Sequence, residues 1–276
     1  MTNMNKKPLI SVIMATFNEK PEFITESIQS ILNQNYTNFE FIILDDSTKE
    51  ETKTAIDKMA SQDSRINVIR KNERMGFVPA LNEGLRIAKG DFIARMDGDD
   101  ISYPYRFEMQ LKYFSEHPTV DILGGALDII DEEGEIISQR IYPLQGLPLK
   151  FYTILRDPIA HPTVMMRRER LDQLQYDESY RRGEDIELWL RLRNKGANIR
   201  NIDKPLIRYR VIPNMETKRD SFHFKYVYQA RLTNFNWKHC GFDIPSLIAA
   251  YIYQRLPNSL VRYIYGKENK IESDKN

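Results

Sequence analysis

The sequence predicts an α/β protein with a Rossmann-like, doubly wound and mostly parallel sheet, followed by a helical C-terminal extension. Three observations support this. In the first 100 residues, short apolar segments alternate with amphipathic segments in the order β-α-β-α-β-α-β. The apolar segments are nearly unbroken, which is typical of strands buried on both faces of a parallel sheet. Each segment ends in polar residues, as expected where a sheet of this kind binds a ligand.

The first predicted strand is "LISVIMATFN", residues 9–18, and a helix follows in which Pro21 suits the first turn. The second strand is "FEFIILDD", residues 39–46, and Thr48 and Glu51 form a candidate capping box for the next helix. "INVIRKN" is the third strand. The helix "FVPALNEGLRIAKG" ends at Gly90 and leads into the fourth strand, "DFIARMD".

Beyond Pro104 the pattern changes to a mixture of helices and strands. The expected order is a helix, two strands joined by a Glu-Gly turn, a strand entering a helix, an amphipathic helix that ends at Gly196, and one further strand. From Asp220 onward the chain is expected to be helical. These segments occupy residues 105–118, 120–143, 161–171, 181–196, 199–211 and 220–276.

The composition is that of an ordinary soluble globular protein, with 41% hydrophobic and 29% charged residues and a net charge of +1. This balance gives no indication of nucleic-acid binding. The charge is uneven: from Lys204 onward there are 13 lysines and arginines against 6 aspartates and glutamates. The single cysteine, Cys240, excludes a disulfide within the chain and suits a reducing cytosol. The first apolar run is too short for a signal peptide or a membrane span.

Polar side chains end all four predicted strands, and the carboxyl ends of parallel strands meet at one edge of a sheet. We therefore expect these residues to line a single crevice. They are Thr16, Asn18, Glu19, Asp45, Asp46, Asn72, Arg74, Asp97 and Asp99.

The segment "FIARMDGDDISYP" places Asp97, Asp99 and Asp100 within four positions. Like charges at this density repel unless something positive lies nearby. An Asp-x-Asp pair after a buried strand can share a divalent cation with a diphosphate, and Mg²⁺ or Mn²⁺ suits such oxygen ligands. The alternative is a solvated turn. A calcium-binding EF-hand loop is excluded because Ile101 and Ser102 occupy positions that need an oxygen ligand and a glycine.

The sequence contains no Walker loop and no G-x-G-x-x-G after the first strand, so phosphates would have to be held by something other than a glycine loop. This absence also favours a cation.

Five further residues are candidates with two interpretations each. Asp46 binds a base or ribose, or caps the following helix. Asp185 lies at a helix start, where the helix dipole favours the ionised carboxylate. It is either a general base or an ordinary charge at the start of a helix, and the same two interpretations apply to Glu184. Trp189 stacks on a sugar or lies in the core. His161 contacts a metal or phosphate, or is structural.

Five segments together resemble family 2 glycosyltransferases of the GT-A fold, above all the bacterial enzymes that build capsule, O-antigen and other surface polysaccharides. They are "SVIMATFNE", "FEFIILDDST", "GFVPALNEGLRIAKGDFIARMDGDD", "HPTVMMRRE" and "GEDIELWLRL", in consistent order across residues 8–212. The resemblance implies a catalytic domain at 1–215, with a nucleotide-sugar part at about 8–104 and an acceptor part at about 105–215. It also implies metal-dependent, inverting transfer from a nucleotide sugar, usually a UDP-sugar, to a glycan or lipid-linked glycan.

Carried over by position, the resemblance assigns Asp46 to the uracil, Asp97 to the ribose or sugar, Asp99 to the cation and Asp185 to deprotonation of the acceptor. The remaining donor contacts it implies are Ala15, Thr16, Phe17, Glu19, Asn72, Asn82 and Gly98, with His161, Glu184 and Trp189 near the acceptor.

The sequence departs from the family pattern at two positions. Ala15 replaces a common proline, and Leu81 stands where many members have arginine. Arg74 and Arg95 are the candidates to replace that arginine.

Residues 244–267, "IPSLIAAYIYQRLPNSLVRYIYGK", belong to the predicted extension at 216–276. They are too interrupted to span a bilayer, and either lie in a membrane interface or pack on protein. The expected location is therefore the cytoplasm, either free or peripheral on the cytoplasmic face of the inner membrane.

Two rival functions fit the sequence less well. A sugar nucleotidyltransferase would need a basic, glycine-rich loop after the first strand, where this chain has "ATFNEKPEF". A non-catalytic binding partner in a polysaccharide assembly would not need Asp46, Asp99 and Asp185 together.

Overall fold

A computed structural model describes residues 7–170, 174–212 and 221–261. The predicted domain boundary at 215/216, the start of the last helical region at Asp220 and the end of segment 244–267 lie outside these ranges. The described strands are β1 (Ile10–Thr16), β2 (Phe39–Asp45), β3 (Ile66–Ile69), β4 (Phe92–Asp97), β5 (Ile101–Ser102), β6 (Ile122–Ile130), β7 (Ile136–Arg140), β8 (Met165–Arg167) and β9 (Ile199–Arg210).

The described helices are named in chain order. They are α1 (Pro21–Leu32), α2 (Glu50–Gln62), α3 (Phe77–Ile87), α4 (Arg106–Glu116), α5 (Gly146–Tyr152), α6 (Glu184–Asn194), α7 (Ser221–Thr233) and α8 (Cys240–Tyr253).

The described strands form one sheet in the order β3-β2-β1-β4-β8-β6-β9-β5, with β7 paired to β6. The first four are parallel, and Ala15 of β1 is level with both Leu44 of β2 and Asp97 of β4. The carboxyl ends of these strands therefore lie side by side, as the sequence predicts. Strands β1, β2 and β4 are almost entirely buried, because helices cover both faces of this half.

The second half of the sheet is mixed. β8 runs antiparallel to both β4 and β6, while β6 and β9 are parallel over nine residue pairs. The predicted α/β class and mostly parallel sheet are confirmed. The two-residue strand β5 was not predicted, because it pairs only with the distant β9 and carries no periodicity of its own.

The capping box predicted at Thr48 and Glu51 is wrong. No side chain of the box caps α2; instead Asn18 Oδ1 accepts hydrogen bonds from the backbone amides of Thr48 (2.8 Å) and Lys49 (2.9 Å). Asn18 adopts a positive φ of 62°, which this residue tolerates better than most. The turn after β1 is therefore tied to the turn after β2, so two walls of the crevice are held together.

The rear helices α7 and α8 pack against α6. Phe224, Val227 and Ala230 of α7 form a buried cluster with Ile186 and Leu190 of α6, which Ala250 of α8 joins. The same helix α6 carries Glu184 and Asp185 at its start, so the rear helices support one side of the crevice. Among the described residues, none of the helices is both long and apolar enough to cross a membrane.

Candidate active site

The carboxyl ends of the parallel strands open into a cleft of about 680 Å³. Five residues predicted from β1, β2 and the loops after them line it: Ala15, Thr16, Phe17, Glu19 and Asp46. The structure therefore brings the predicted nucleotide-side residues of both strands into one space.

The acidic loop after β4 forms the floor of the same cleft. Asp97, Gly98 and Asp99 line it, together with Arg95 from the strand and Arg74 from the loop before α3. The strand that leads into the acidic loop and the loop before α3 thus each supply an arginine to the cleft lining.

Two buried arginines lie against this loop. The guanidinium of Arg95 forms a two-pronged ion pair with the carboxylate of Asp97. Arg210, at the end of β9, donates its backbone N–H to Asp100 Oδ1 (3.0 Å) and its Nε–H to the carbonyl of Asp99 (3.1 Å). The repulsion noted in the sequence is therefore partly offset by the protein itself.

Arg210 also anchors the loop to its surroundings. Its guanidinium donates to the carbonyls of Asp131 (3.2 Å) and Glu132 (2.7 Å) and pairs with Glu26 (2.7 Å). The side chain is 1% exposed. One side chain thus joins the acidic loop, the β6–β7 turn and α1.

Asp100 faces the interior rather than the cleft. Its Oδ1 accepts from Arg210, while its buried Oδ2 has no hydrogen-bond partner among the described residues. Burial, with repulsion from Asp99 and Asp97, raises the pKa of Asp100 well above its ordinary value. The third aspartate of the motif therefore serves the fold, and Asp97 and Asp99 are the two that line the cleft.

Glu19 lies directly over the glycine of this loop. Its carboxylate accepts from the amide of Phe17 at 2.8 and 3.1 Å, and a Cβ added to Gly98 would lie 3.2 Å from its carboxyl carbon. Burial raises the pKa of Glu19 to about 7, and repulsion from Asp99 and Asp97 adds to the effect. A side chain at position 98 would crowd both Glu19 and Ile24, which would have to shift by a few tenths of an ångström.

Asp46 does not cap the following helix α2, so that alternative is wrong. Its two carboxylate oxygens accept from the amides of Met75 (3.0 Å) and Gly76 (2.6 Å), just before α3. Next to it, the Arg74 guanidinium lies 3.7 Å from the centre of the Phe17 ring. The nucleotide side of the cleft therefore has an acidic edge and an aromatic wall.

The start of α6 also lines the cleft, where Glu184 and Asp185 follow Gly183, a residue with φ 70°. Asp185 Oδ1 accepts from the amide of Ile186 (2.8 Å). The sequence predicts that the helix dipole favours the ionised carboxylate of Asp185, but burial and neighbouring acids act in the opposite direction. Burial, with repulsion from Asp157 and Glu184, raises the pKa of Asp185 well above its ordinary value. Burial likewise raises the pKa of Glu184.

Sequence reasoning missed Asp157, which also lines the cleft. Its Oδ1 is buried and has no hydrogen-bond partner in the described part of the protein. The Asp-Pro pair in "RDPIAHP" reads as an ordinary turn, so no local pattern marks it. Arg181, Arg182, Tyr209 and His223 were missed for the same reason, although the two arginines directly precede the Gly-Glu-Asp segment that the sequence did single out.

Six residues that the sequence predicts for the crevice or the site lie outside the cleft lining. Two of them support the fold: Asn18 binds the turn before α2, and Asp45 is buried against Arg70 (2.6 Å). The other four are Asn72, Asn82, His161 and Trp189. Asn72 is exposed, and Asn82 bonds to the backbone of Tyr176 through both of its side-chain groups (2.8 and 3.0 Å). His161 is buried with Nε2 2.7 Å from the Tyr176 hydroxyl, and burial lowers its pKa well below the usual value. Trp189 is 1% exposed and packs edge-on to His161. These contacts match the structural interpretations of His161 and Trp189.

The side chains around Asp99 are compatible with Mg²⁺ or Mn²⁺, because both ions prefer carboxylate oxygens as ligands. Within the described ranges, no three His, Cys, Asp or Glu side chains are grouped closely enough to hold a metal ion by themselves. A cation here would therefore take most of its ligands from a bound phosphate and water.

Solved structures identify the fold. The chain superimposes on Staphylococcus aureus TarS 1–349 in complex with UDP-GlcNAc with a TM-score of 0.68, at 18% identity, over 88% of this chain and 72% of that one. It spans 44% of a longer TarS chain. It also matches the mannosyltransferase PcManGT of Pyrobaculum calidifontis, in complex with GDP-Man and Mn²⁺, with a TM-score of 0.62 at 18% identity, over 99% of this chain and 77% of that one. The fold is that of GT-A glycosyltransferases.

Sequence comparison identifies the family. The profile described as Glycosyl transferase family 2 matches residues 11–174. A Bacillus subtilis protein named EpsE is 35% identical over 82% of this chain and 83% of its own length. The O-antigen biosynthesis glycosyltransferase WbnJ of Escherichia coli is 33% identical over 78% of this chain and 84% of its own length. The chain belongs to glycosyl transferase family 2, as the sequence resemblance predicted.

Replacing Arg210 by methionine should destabilise the protein by about 2–4 kcal/mol, because it leaves Glu26 and three loop carbonyls without their guanidinium donor, while the backbone N–H that binds Asp100 remains. The measurement is urea unfolding followed by circular dichroism. Arg208→Met, two residues away on the same strand and half-buried, is the matched control and should cost less than about 1 kcal/mol. Equal losses for the two variants would contradict the anchoring role of Arg210.

Proposed function

We propose that this protein is a divalent-metal-dependent, inverting glycosyltransferase that moves a sugar from a UDP-sugar to a hydroxyl of a glycan or lipid-linked glycan. The observation that carries this proposal is that the acidic loop and Asp185, which are far apart in the sequence, line one cleft. Comparison with WbnJ, named for O-antigen biosynthesis, supports a surface-polysaccharide acceptor. TarS bound to UDP-GlcNAc supports a UDP-sugar donor.

The nucleotide would lie along Asp46, Phe17 and Arg74. Asp46 already accepts two amide hydrogen bonds, which fixes the orientation of its carboxylate toward a base. The Phe17 ring, 41% exposed, offers an apolar surface with a guanidinium stacked on it. Both features suit a planar ring followed by negatively charged phosphates.

Asp99 would hold Mn²⁺ or Mg²⁺ against the diphosphate. When bound, the ion supplies stabilisation of the charge that develops on the departing diphosphate. Asp97 is paired with Arg95, so its carboxylate is held in position to accept hydrogen bonds from ribose or sugar hydroxyls. PcManGT, solved with Mn²⁺, supports the metal assignment.

Asp185 would be the base. The acceptor oxygen forms its bond to the anomeric carbon as the bond to the diphosphate oxygen breaks on the opposite face, and the hydroxyl proton passes to the Asp185 carboxylate. One displacement inverts the anomeric centre and needs no enzyme nucleophile. A raised pKa suits this role, because the ionised form binds a proton more strongly than an ordinary aspartate.

We propose that the reaction takes place in the cytoplasm, because a lone cysteine such as Cys240 suits a reducing compartment.

The direct test is incubation with a panel of UDP-sugars and Mn²⁺, with the release of UDP as the readout. GDP-mannose belongs in the panel, with release of GDP as its readout, because PcManGT was solved with that donor. Release of UDP from at least one donor, dependent on metal, supports the proposal. Metal-dependent UDP binding without release from any donor and acceptor would instead favour a non-catalytic binding protein.

Asp99→Asn should weaken metal-dependent UDP binding by about tenfold or more, because an amide binds Mn²⁺ less strongly than a carboxylate. Isothermal titration with UDP, with and without Mn²⁺, provides the measurement. Asp57→Asn removes an exposed carboxylate from α2, outside the cleft, and should leave binding unchanged. The metal assignment would be wrong if Asp99→Asn bound UDP as tightly as the parent.

Asp185→Asn should leave UDP binding nearly intact and reduce kcat by about 100-fold or more, since only proton transfer is lost. UDP release and UDP affinity are measured on the same preparation, so each variant serves as its own control for folding. Retention of most of the turnover would show that another group is the base.

Asp157→Asn should shift the acidic limb of the kcat/KM profile to lower pH. Activity requires ionised Asp185, so it falls as pH decreases through the raised pKa, above the value of about 3.9 for a free aspartate. Removing the neighbouring charge lowers that pKa, while Asp157→Glu keeps the charge and should keep the limb near its original position. An unmoved limb in the asparagine variant would contradict this coupling.

A further inference from the structure

Helix α8 turns polar residues inward and apolar residues outward, which is the reverse of an ordinary surface helix. Its buried positions are Asp243, Ser246 and Ala250. Its exposed face consists of Ile244, Ile248, Tyr251 and Ile252, each 43–56% exposed. These residues fall at i, i+4, i+7 and i+8, which is one stripe of a helix. A helix that packs on its own protein normally turns such a stripe inward.

Polar contacts fix the orientation of α8. The carboxylate of Asp243 accepts from the Arg193 guanidinium of α6 (2.7 and 3.0 Å) and from the amide of Asn236 (3.0 Å). Rotating the helix to bury the isoleucines would break this buried ion pair, which is costly. The outward position of the exposed face is therefore part of the fold.

The apolar surface continues beyond α8. The rings of Phe151 and Phe242 pack edge-to-face at 5.3 Å, which places α5 next to the start of α8. Leu147 and Phe151 of α5 are about 60% exposed, and Trp237, just before α8, is 76% exposed. Exposed apolar groups gathered in this way mark an interaction surface.

The charge around this surface is basic. Lys150, Lys238 and Arg255 are exposed, and the Arg255 guanidinium lies 3.6 Å from the centre of the Tyr251 ring, at the exposed face itself. Within residues 221–261 the only carboxylate side chain is that of Asp243, which is buried against Arg193. The apolar face is therefore rimmed by cations, and no anion of this described segment is exposed beside it.

We propose that the exposed face of α8 docks on the surface of a bilayer that contains anionic lipids, with the helix lying in the plane of the interface. Isoleucines would enter the acyl boundary, Trp237 and Tyr251 would lie at the headgroups, and the basic rim would meet the lipid phosphates. The helix has 14 residues and is too short to span the bilayer. A two-fold dimer through this face would bring like charges together, because such an interface pairs a surface with itself.

The test uses the full chain and vesicles of phosphatidylglycerol and phosphatidylcholine in equal parts, pelleted by centrifugation. The triple variant Ile244→Ser, Ile248→Ser, Ile252→Ser should bind at least about tenfold more weakly than the parent. The matched control is Ile136→Ser, Ile137→Ser, Ile141→Ser near the β6–β7 hairpin, where three isoleucines are exposed to a similar degree. It should bind like the parent, and circular dichroism melting checks that both variants fold.

A second measurement needs no isoleucine variant. The chain has two tryptophans, and Trp189 is buried, so a change in fluorescence reports on Trp237. Adding the anionic vesicles should shift the emission to shorter wavelength, Trp237→Phe should abolish the shift, and added salt or pure phosphatidylcholine vesicles should reduce it.

Equal pelleting of parent and α8 variant, or an unchanged emission of Trp237, would overturn the proposal. So would a concentration-dependent dimer of the parent that the α8 variant loses, since the occupant would then be a second copy of the chain. Vesicle binding is measured without donor or acceptor, so these outcomes are independent of the proposed transferase activity.

Discussion

The structure depends on how the acidic loop after β4 is held in place. Several carboxylates crowd one turn, and such a turn is stable only if cations or buried donors oppose them. Arg95 does so from within β4, and Arg210 does so from the end of β9. Because Arg210 also binds the β6–β7 turn and α1, the charge balance of the loop is built into the packing of the second half of the sheet.

The two walls of the cleft treat their carboxylates differently. On the part that we propose for the donor, Asp97 has an arginine partner and Asp46 accepts two backbone amides, so both are held as oriented acceptors. On the part that we propose for the acceptor, burial together with the proximity of Asp157 raises the pKa of Asp185. One part is thus suited to binding and the other to accepting a proton, which is the division that the proposed single displacement requires.

Helix α6 connects these chemical features to the rest of the molecule. Its first residues face the cleft, its middle packs on the rear helices, and Arg193 near its end binds Asp243 of α8. Helix α6 therefore connects the surface that we propose for lipid contact to the wall that we propose for the acceptor. A lipid-linked acceptor would meet both through the same helix.

The sequence by itself determined the parallel half of the sheet, the family and the cluster of polar residues at the strand ends, because apolar periodicity and strand-end motifs are local in the chain. Only the tertiary structure decided which residues face the cleft. It added Asp157 and turned His161 and Trp189 into the core. It also paired the acidic loop with Arg210, 110 residues away. The raised pKa of Asp185 was also decided by the tertiary structure, because burial and the nearness of separate segments arise only when the chain packs.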